Sequence, residues 1–423
     1  MSGVKTMAAS QESNNSTCDF NVERVRQDFP ILSREVYGKP LVYLDSGASA
    51  QKPRVVVEAV REAYESYYSN VHRGAHYLSQ RSTDAYEEAR ATVARFINAP
   101  SEKNIVFTSS VTESINLVAA TWGRKFLKAG DEVILSEMEH HANIVPWHML
   151  REECGIKLVF APITDAGDFR LENFEALLGA NTKLVAITEC SNVLGTVVPI
   201  KKLVEIAHTR GVPVLVDGAQ GVVHHPVDVQ AFDCDFYGFT GHKLYGPSGV
   251  GVLYGKTEIL ESMPPYQGGG DMIEHVTFNH VTYNTPPYRF EAGTPPIVQA
   301  IGLSAAIKYV EGLGMENIHN HERDVLSYAN QQLAKVEGVR IFGTAANKAA
   351  ILSFLVDELH AFDVAAVLDR QGVATRVGQH CAEPLMERLG VEGMVRASFG
   401  LYNRRQDVDD LVAAIEKAKG MLS

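Results

Sequence analysis

The chain has 423 residues, 45% hydrophobic and 21% charged, an ordinary globular composition at a length that needs no disulfide or metal staples. Lys and Arg number 39 against 51 Asp and Glu, a net charge of −12, which excludes a nucleic-acid coat because that needs a positive field. No apolar run reaches the roughly 18 residues of a membrane span, while a small anionic ligand held in a local pocket stays open.

Residues 1–20 are small and polar, without the apolar core of a secretory signal, and read as a disordered tail. Short apolar runs then alternate with helical spacing. Residues 104–108, 132–135, 157–160, 183–188, 212–216, 235–239 and 249–254 read as buried strands, and 112–128 and 200–210 as helices. This alternation predicts an α/β fold with a mainly parallel sheet, whose ligands gather at the carboxyl ends of the strands. Farther on, helical spacing runs over 296–333 with a break near Gly312–Gly314. A strand at 351–356, a helix at 361–370, a strand-like run at 394–399 and a last helix at 407–421 follow. The division expected is a large domain over 21–295 and a smaller α+β domain over 296–423, with 21–40 able to pack on the latter. The five cysteines (Cys18, Cys154, Cys190, Cys234, Cys381) are dispersed without C-x-x-C, which favours a reducing, cytoplasmic setting over a disulfide or structural-zinc scaffold.

The strand ending at Val216 leads into Asp217-Gly218-Ala219-Gln220, and the one ending at Phe239 into Thr240-Gly241-His242-Lys243. The plainer readings are a helix N-cap for Asp217 and a solvated amine for Lys243. Together they offer what pyridoxal 5'-phosphate (PLP) needs. An amine can condense with the aldehyde, a carboxylate can face the pyridine nitrogen, and hydroxyl and imidazole donors can take the phosphate. His140-His141 has no third partner for a metal, so no metal site is read. Gly246-Pro247-Ser248-Gly249-Val250-Gly251 precedes a strand instead of opening a helix, the wrong setting for a dinucleotide loop.

These two motifs, with Met138-Glu139-His140-His141-Ala142-Asn143 and Arg376-Val377-Gly378-Gln379-His380-Cys381-Ala382-Glu383-Pro384-Leu385, resemble the class V, fold-type I PLP enzymes. More narrowly they resemble the type II, SufS-like cysteine desulfurases, over nearly everything from residue 20 onward. The resemblance implies that Lys243 holds PLP as a Schiff base, that Asp217 pairs with the pyridinium nitrogen, that Gln220 bonds the phenolic oxygen and that His140 stacks on the ring. It implies phosphate donors at Thr112, Thr240 and His242. A partner subunit of a homodimer would supply Gly268, Gly269 and Thr294. Arg376 and Arg396 would bind the substrate carboxylate, with Asn192 near the ring and substrate and His72-Arg73 at the entrance.

Cys381 stands where the family keeps its nucleophile, in a turn expected between helices, with His380 and Arg376 as nearby positive charge. Two positions depart from the common pattern: Ser110-Val111 stands where Gly-Thr is usual, and Gln379 where a second His is frequent. The activity implied is conversion of L-cysteine to L-alanine, with sulfur passing through Cys381 to a SufE- or SufU-like acceptor for iron–sulfur cluster assembly. Selenocysteine lyase and cysteine sulfinate desulfinase are the rivals on the same scaffold, and kynureninase, an aminotransferase or a non-catalytic scaffold the more distant ones.

Overall fold

The structure, a computed structural model, describes residues 20–422. The expected tail lies outside them except for Phe20, whose ring packs 4.6 Å from that of His321. Seven strands form the main sheet: β1 (Ile105–Thr108), β2 (Glu132–Ser136), β3 (Lys157–Ala161), β4 (Thr182–Thr188), β5 (Val214–Asp217), β6 (Phe236–Thr240) and β7 (Gly251–Gly255). Their order is β1-β7-β6-β5-β4-β2-β3. The pairs among β2 to β6 are parallel, and only β7 runs against its neighbours β1 and β6.

The central strands are buried on both faces, which is why they read as unbroken Val, Leu and Ile runs and not as alternation. One face packs Val106, Leu135 and Leu215 against Trp147 and the helix opening at Val111. The other packs Val185, Val216 and Tyr237 against Leu203 and Ile307.

A second sheet, antiparallel throughout, has β8 (Val339–Phe342), β9 (Ile351–Val356), β10 (Arg376–Gly378) and β11 (Met394–Ser398) in the order β8-β9-β11-β10. Helices Ala361–Arg370 and Arg405–Leu422 cover it with Leu368, Leu411 and Ile415. The break expected in the long helix falls at Gly314 (φ +83°), between Ile297–Leu313 and Met315–Leu333.

Packing cuts across the division expected at residue 296. Helix Ile297–Leu313 buries Ala300, Leu303 and Ile307 in the core of the main sheet, and Ser304 bonds Thr92 at 3.2 Å. Only the following helix sends Val325, Ala329 and Leu333 into the core of the second sheet. Helical spacing shows that a helix has an apolar face but not which sheet that face meets. The N-terminal segment is shared in the same way. Val25, Phe29 and Leu32 join the main core, Arg26 reaches Asp407 at 3.3 Å, and strand Val42–Tyr43 pairs in parallel with Val373–Ala374. Among the described residues no helix is long and apolar enough to cross a membrane.

Candidate active site

The main sheet brings its polar residues to one end. Asp217 closes β5 and Thr240 closes β6, with Lys243 three residues on. β4 leads to Asn192, β2 to His140, and β1 to Ser110, which caps the helix Val111–Val118. All five strands are parallel, so all five carboxyl ends open on the same pocket. It is lined by Thr112, His140, Asn192, Asp217, Gln220, Thr240, His242 and Lys243 from this side, and by Arg376, Cys381 and Arg396 from the second sheet.

Burial governs the charge states on the pocket floor. It lowers the Lys243 amine to about 8, although Asp217 pulls it back up. It raises Asp217, against the pull of Lys243 and the Ala219 N–H, which donates to Oδ1 at 3.0 Å. Gln220 donates to the Gly47 carbonyl at 2.7 Å, which fixes its amide and leaves the second amide hydrogen free. His140 Nδ1 accepts the Ala142 N–H at 3.0 Å, so its ring proton sits on Nε2. Burial and Lys243 push that imidazole down to about 3, and the ring is neutral.

At the far end, Ser110 accepts the Glu113 N–H at 3.3 Å, and Glu113 accepts the Ser109 N–H at 2.5 Å. The pair caps the helix while leaving the amides of Val111 and Thr112 free, and a helix N-terminus of this kind attracts an anion. Thr240 Oγ1 is buried and has no protein partner. Burial, with Lys243 and Lys52 nearby, lowers His242 to about 4.

The side facing the second sheet carries two guanidinium groups of different character. Arg396 is 2% exposed; it donates to the Asn192 carbonyl at 2.9 Å and meets Asp45 at 3.2 Å, and its Nε is buried without a partner. Arg376 is half exposed and comes only within 3.9 Å of Asp45. Asp45 was not singled out in the sequence; the signal was there in Leu44-Asp45-Ser46-Gly47, an apolar run ending in an acid and a glycine.

Cys381 is exposed. It lies between a strand, β10, and the helix Glu383–Leu389, not between two helices as expected. His380 and Cys381 both take left-handed backbone, φ +55° and +56°, a conformation uncommon for residues other than glycine. The loop is tied down by the His141 N–H on the Cys381 carbonyl at 2.7 Å and by Asn192 on the His380 carbonyl at 2.8 Å. His380 adds no positive charge to the thiol: burial holds it down at about 3, and its Nε2 bonds the Met394 carbonyl at 3.0 Å.

Five of the sequence-derived residues lie elsewhere. His72 bonds Glu87 at 2.8 Å and Arg73 pairs with Asp271 at 2.9 Å. Gly268, Gly269 and Thr294 also stand outside the Lys243 pocket, and Thr294 lines a separate groove with Tyr64, Tyr68 and Glu113.

Residues 42–411 match the family described as aminotransferase class-V. A cysteine desulfurase of Dickeya dadantii (strain 3937) is 51% identical over 404 residues, covering 95% of this chain and 98% of that one. The chain belongs to the cysteine desulfurases of the class-V aminotransferase family. Among solved structures, the Escherichia coli cysteine desulfurase CsdA aligns with a TM-score of 0.88 at 42% identity, over 95% of this chain and 99% of that one. The apo cysteine desulfurase of Thermococcus onnurineus NA1 aligns at 0.89 and 41%, over 94% and 98%.

The class-V family consists of PLP enzymes, and the pocket of this cysteine desulfurase suits that cofactor. The unpartnered Thr240 hydroxyl and the free helix amides form a donor set for a phosphate, and a neutralisable amine and a carboxylate stand at the other end.

Proposed function

We propose that this cysteine desulfurase is of the type II, SufS-like kind. It takes sulfur from L-cysteine onto Cys381 as a persulfide, releases L-alanine, and passes the sulfur to a SufE- or SufU-like acceptor for iron–sulfur cluster assembly in the cytoplasm. The observation that carries this reading is the exposed thiol of Cys381 on a left-handed loop at the wall of the Lys243 pocket.

Lys243 would hold PLP covalently, Asp217 would face its ring nitrogen, Gln220 its phenolic oxygen, His140 its ring face, and Thr112, Thr240 and His242 its phosphate. When bound, the cofactor supplies the electron sink that lets the substrate Cα proton leave and weakens the Cβ–sulfur bond. The unpaired Nε of Arg396 and the guanidinium of Arg376 bind the substrate carboxylate, a fork that Lys would not reproduce. Lys243, once released as a neutral amine, takes the Cα proton. Cys381 acts as a thiolate: its Sγ forms a bond to the substrate sulfur, the Cβ–sulfur bond breaks, and Cβ keeps the electron pair. His140, neutral with its proton on Nε2, would keep that proton and offer it as a hydrogen-bond donor, while Cβ takes up the proton that the Cys381 thiol gave up in becoming a thiolate. Gly268, Gly269 and Thr294, lying outside their own chain's pocket, are read as a homodimer partner's contribution to the second phosphate site.

Incubation of the PLP-loaded protein with L-cysteine, scoring alanine and protein-bound sulfane sulfur with and without an acceptor, tests this reading. Stoichiometric alanine with one sulfur retained per pocket supports it. Turnover of cysteine sulfinate but not cysteine replaces it with the desulfinase reading.

A further inference from the structure

Behind Asp217, on the face of the sheet away from the pocket, lies a buried pair that the mechanism above does not use. Along β5, Leu215 and Asp217 point to one face and Val214 and Val216 to the other. Tyr237 of β6 shares the face of Val216, and its hydroxyl meets Glu189 Oε2 at 2.5 Å. Glu189 follows β4, and its N–H donates to the Asp217 carbonyl at 2.9 Å. β5 lies between β4 and β6. The Tyr237–Glu189 bond therefore spans the back of β5 at the level of Asp217, joining its two neighbours over the strand's last residue.

The turn after Asp217 is shaped to this pair. A Cβ at Gly218 would stand 2.0 Å from Tyr237 Cζ, and one at Gly221 would stand 1.9 Å from Glu189 Oε2. Neither glycine has a positive φ, so it is room for the tyrosine and the carboxyl, and not backbone freedom, that the two positions supply. Both partners are sealed from water, Tyr237 fully and Glu189 at 3% exposure. A carboxyl here is costly unless it is bonded, and a core of apolar side chains would pack the same space without that cost.

We infer that the Tyr237–Glu189 hydrogen bond is a strap that positions Asp217 and the Gly218–Gln220 turn against the cofactor ring, making both residues positioning residues. The inference rests on the reading of Asp217 as the partner of the ring nitrogen. The ionisable groups around Glu189 are Tyr237 of β6, Asp217 of β5, His224 of the helix Gly221–His224, Cys190 beside it and Cys234 ahead of β6. Burial raises Glu189 to about 7, against the Tyr237 hydrogen bond. Below neutral pH the carboxyl therefore keeps its proton and adds little negative charge behind Asp217.

The test compares Tyr237→Phe, which cuts the strap, with Glu189→Gln, which keeps a hydrogen-bonding partner for the tyrosine. Both are measured as the PLP-loaded full chain. Losing one buried hydrogen bond at this position is expected to weaken PLP binding about tenfold in Tyr237→Phe. The same loss should move the pH midpoint of the bound-cofactor absorption by about half a unit, with Glu189→Gln staying near the parent in both. Parent-like affinity and midpoint in Tyr237→Phe would overturn the strap. So would equal losses in both variants that follow the fall in melting temperature, since these would mean packing alone. An Asp217→Asn variant that binds and titrates like the parent would instead remove the reading of Asp217 on which the strap rests.

Discussion

The two walls of the pocket are built on opposite terms. On the main-sheet side, Asp217, Thr240 and Gln220 stand at or just beyond strand ends, all nearly inaccessible, in a core sealed on both faces. On the other side, Cys381 rides a short loop that leaves a sheet edge and presents its thiol to solvent. The contrast fits the roles proposed for each. Groups that hold a cofactor gain from fixed geometry and low dielectric, since an electrostatic contact works harder there. A thiol that takes sulfur from inside and gives it up outside needs access. The pair of buried Arg396 and partly exposed Asp45 joins the two, because Asp45 also draws Arg376, whose strand β10 runs directly into the Cys381 loop.

The largest effects should separate the walls. Lys243→Ala is expected to lower alanine formation by roughly 10³-fold or more and to abolish the covalent cofactor signal. Cys381→Ala should lower it by a comparable factor while leaving the cofactor absorbance intact. Loss of that absorbance in Cys381→Ala would break the division of labour. Next comes the arginine pair. Arg396→Lys, at a buried position whose fork is shared with Asp45, is expected to raise KM for cysteine by about 30- to 100-fold, consistent with a lost charged hydrogen bond of about 2–3 kcal/mol. Arg376→Lys, half exposed, should cost about threefold to tenfold. Equal losses would show that burial does not rank the two.

A pH experiment sharpens the same contrast. Only the neutral amine condenses with an aldehyde, and burial lowers Lys243 to about 8 from the ordinary 10.5. The rate at which apoprotein takes up PLP should therefore climb about tenfold per pH unit below pH 8 and level off above it. A rate still climbing beyond pH 9 would mean that the amine is not desolvated. The smallest effect is expected at Gln379, which only touches Glu383 at 3.3 Å on the surface. Gln379→His should change the desulfuration rate by less than about twofold, as surface substitutions usually do.

The strands and most helices were legible because burial on both faces writes itself as unbroken apolar runs, and the motif after each strand then marks the ligand end. Partnership across elements was not legible. Helix Ile297–Leu313 shows an apolar face in sequence but not that it packs on the main sheet. His380 looks like a cation beside a thiol until burial and the Met394 carbonyl show it to be neutral. Asp45 and Glu189 lie far in sequence from the residues they serve, and a lone acid after an apolar run has a capping reading that competes with any other.

The central claim is that sulfur leaves cysteine onto Cys381 at the exposed wall of a pocket whose cofactor is held at the buried one. Mass mapping of the PLP-loaded protein after a single turnover with L-cysteine, under non-reducing digestion, tests it most directly. One added sulfur atom on the peptide carrying Cys381, and none on those carrying Cys154, Cys190 or Cys234, is the result the account predicts. Alanine released at full rate with the Cys381 peptide unmodified would contradict it.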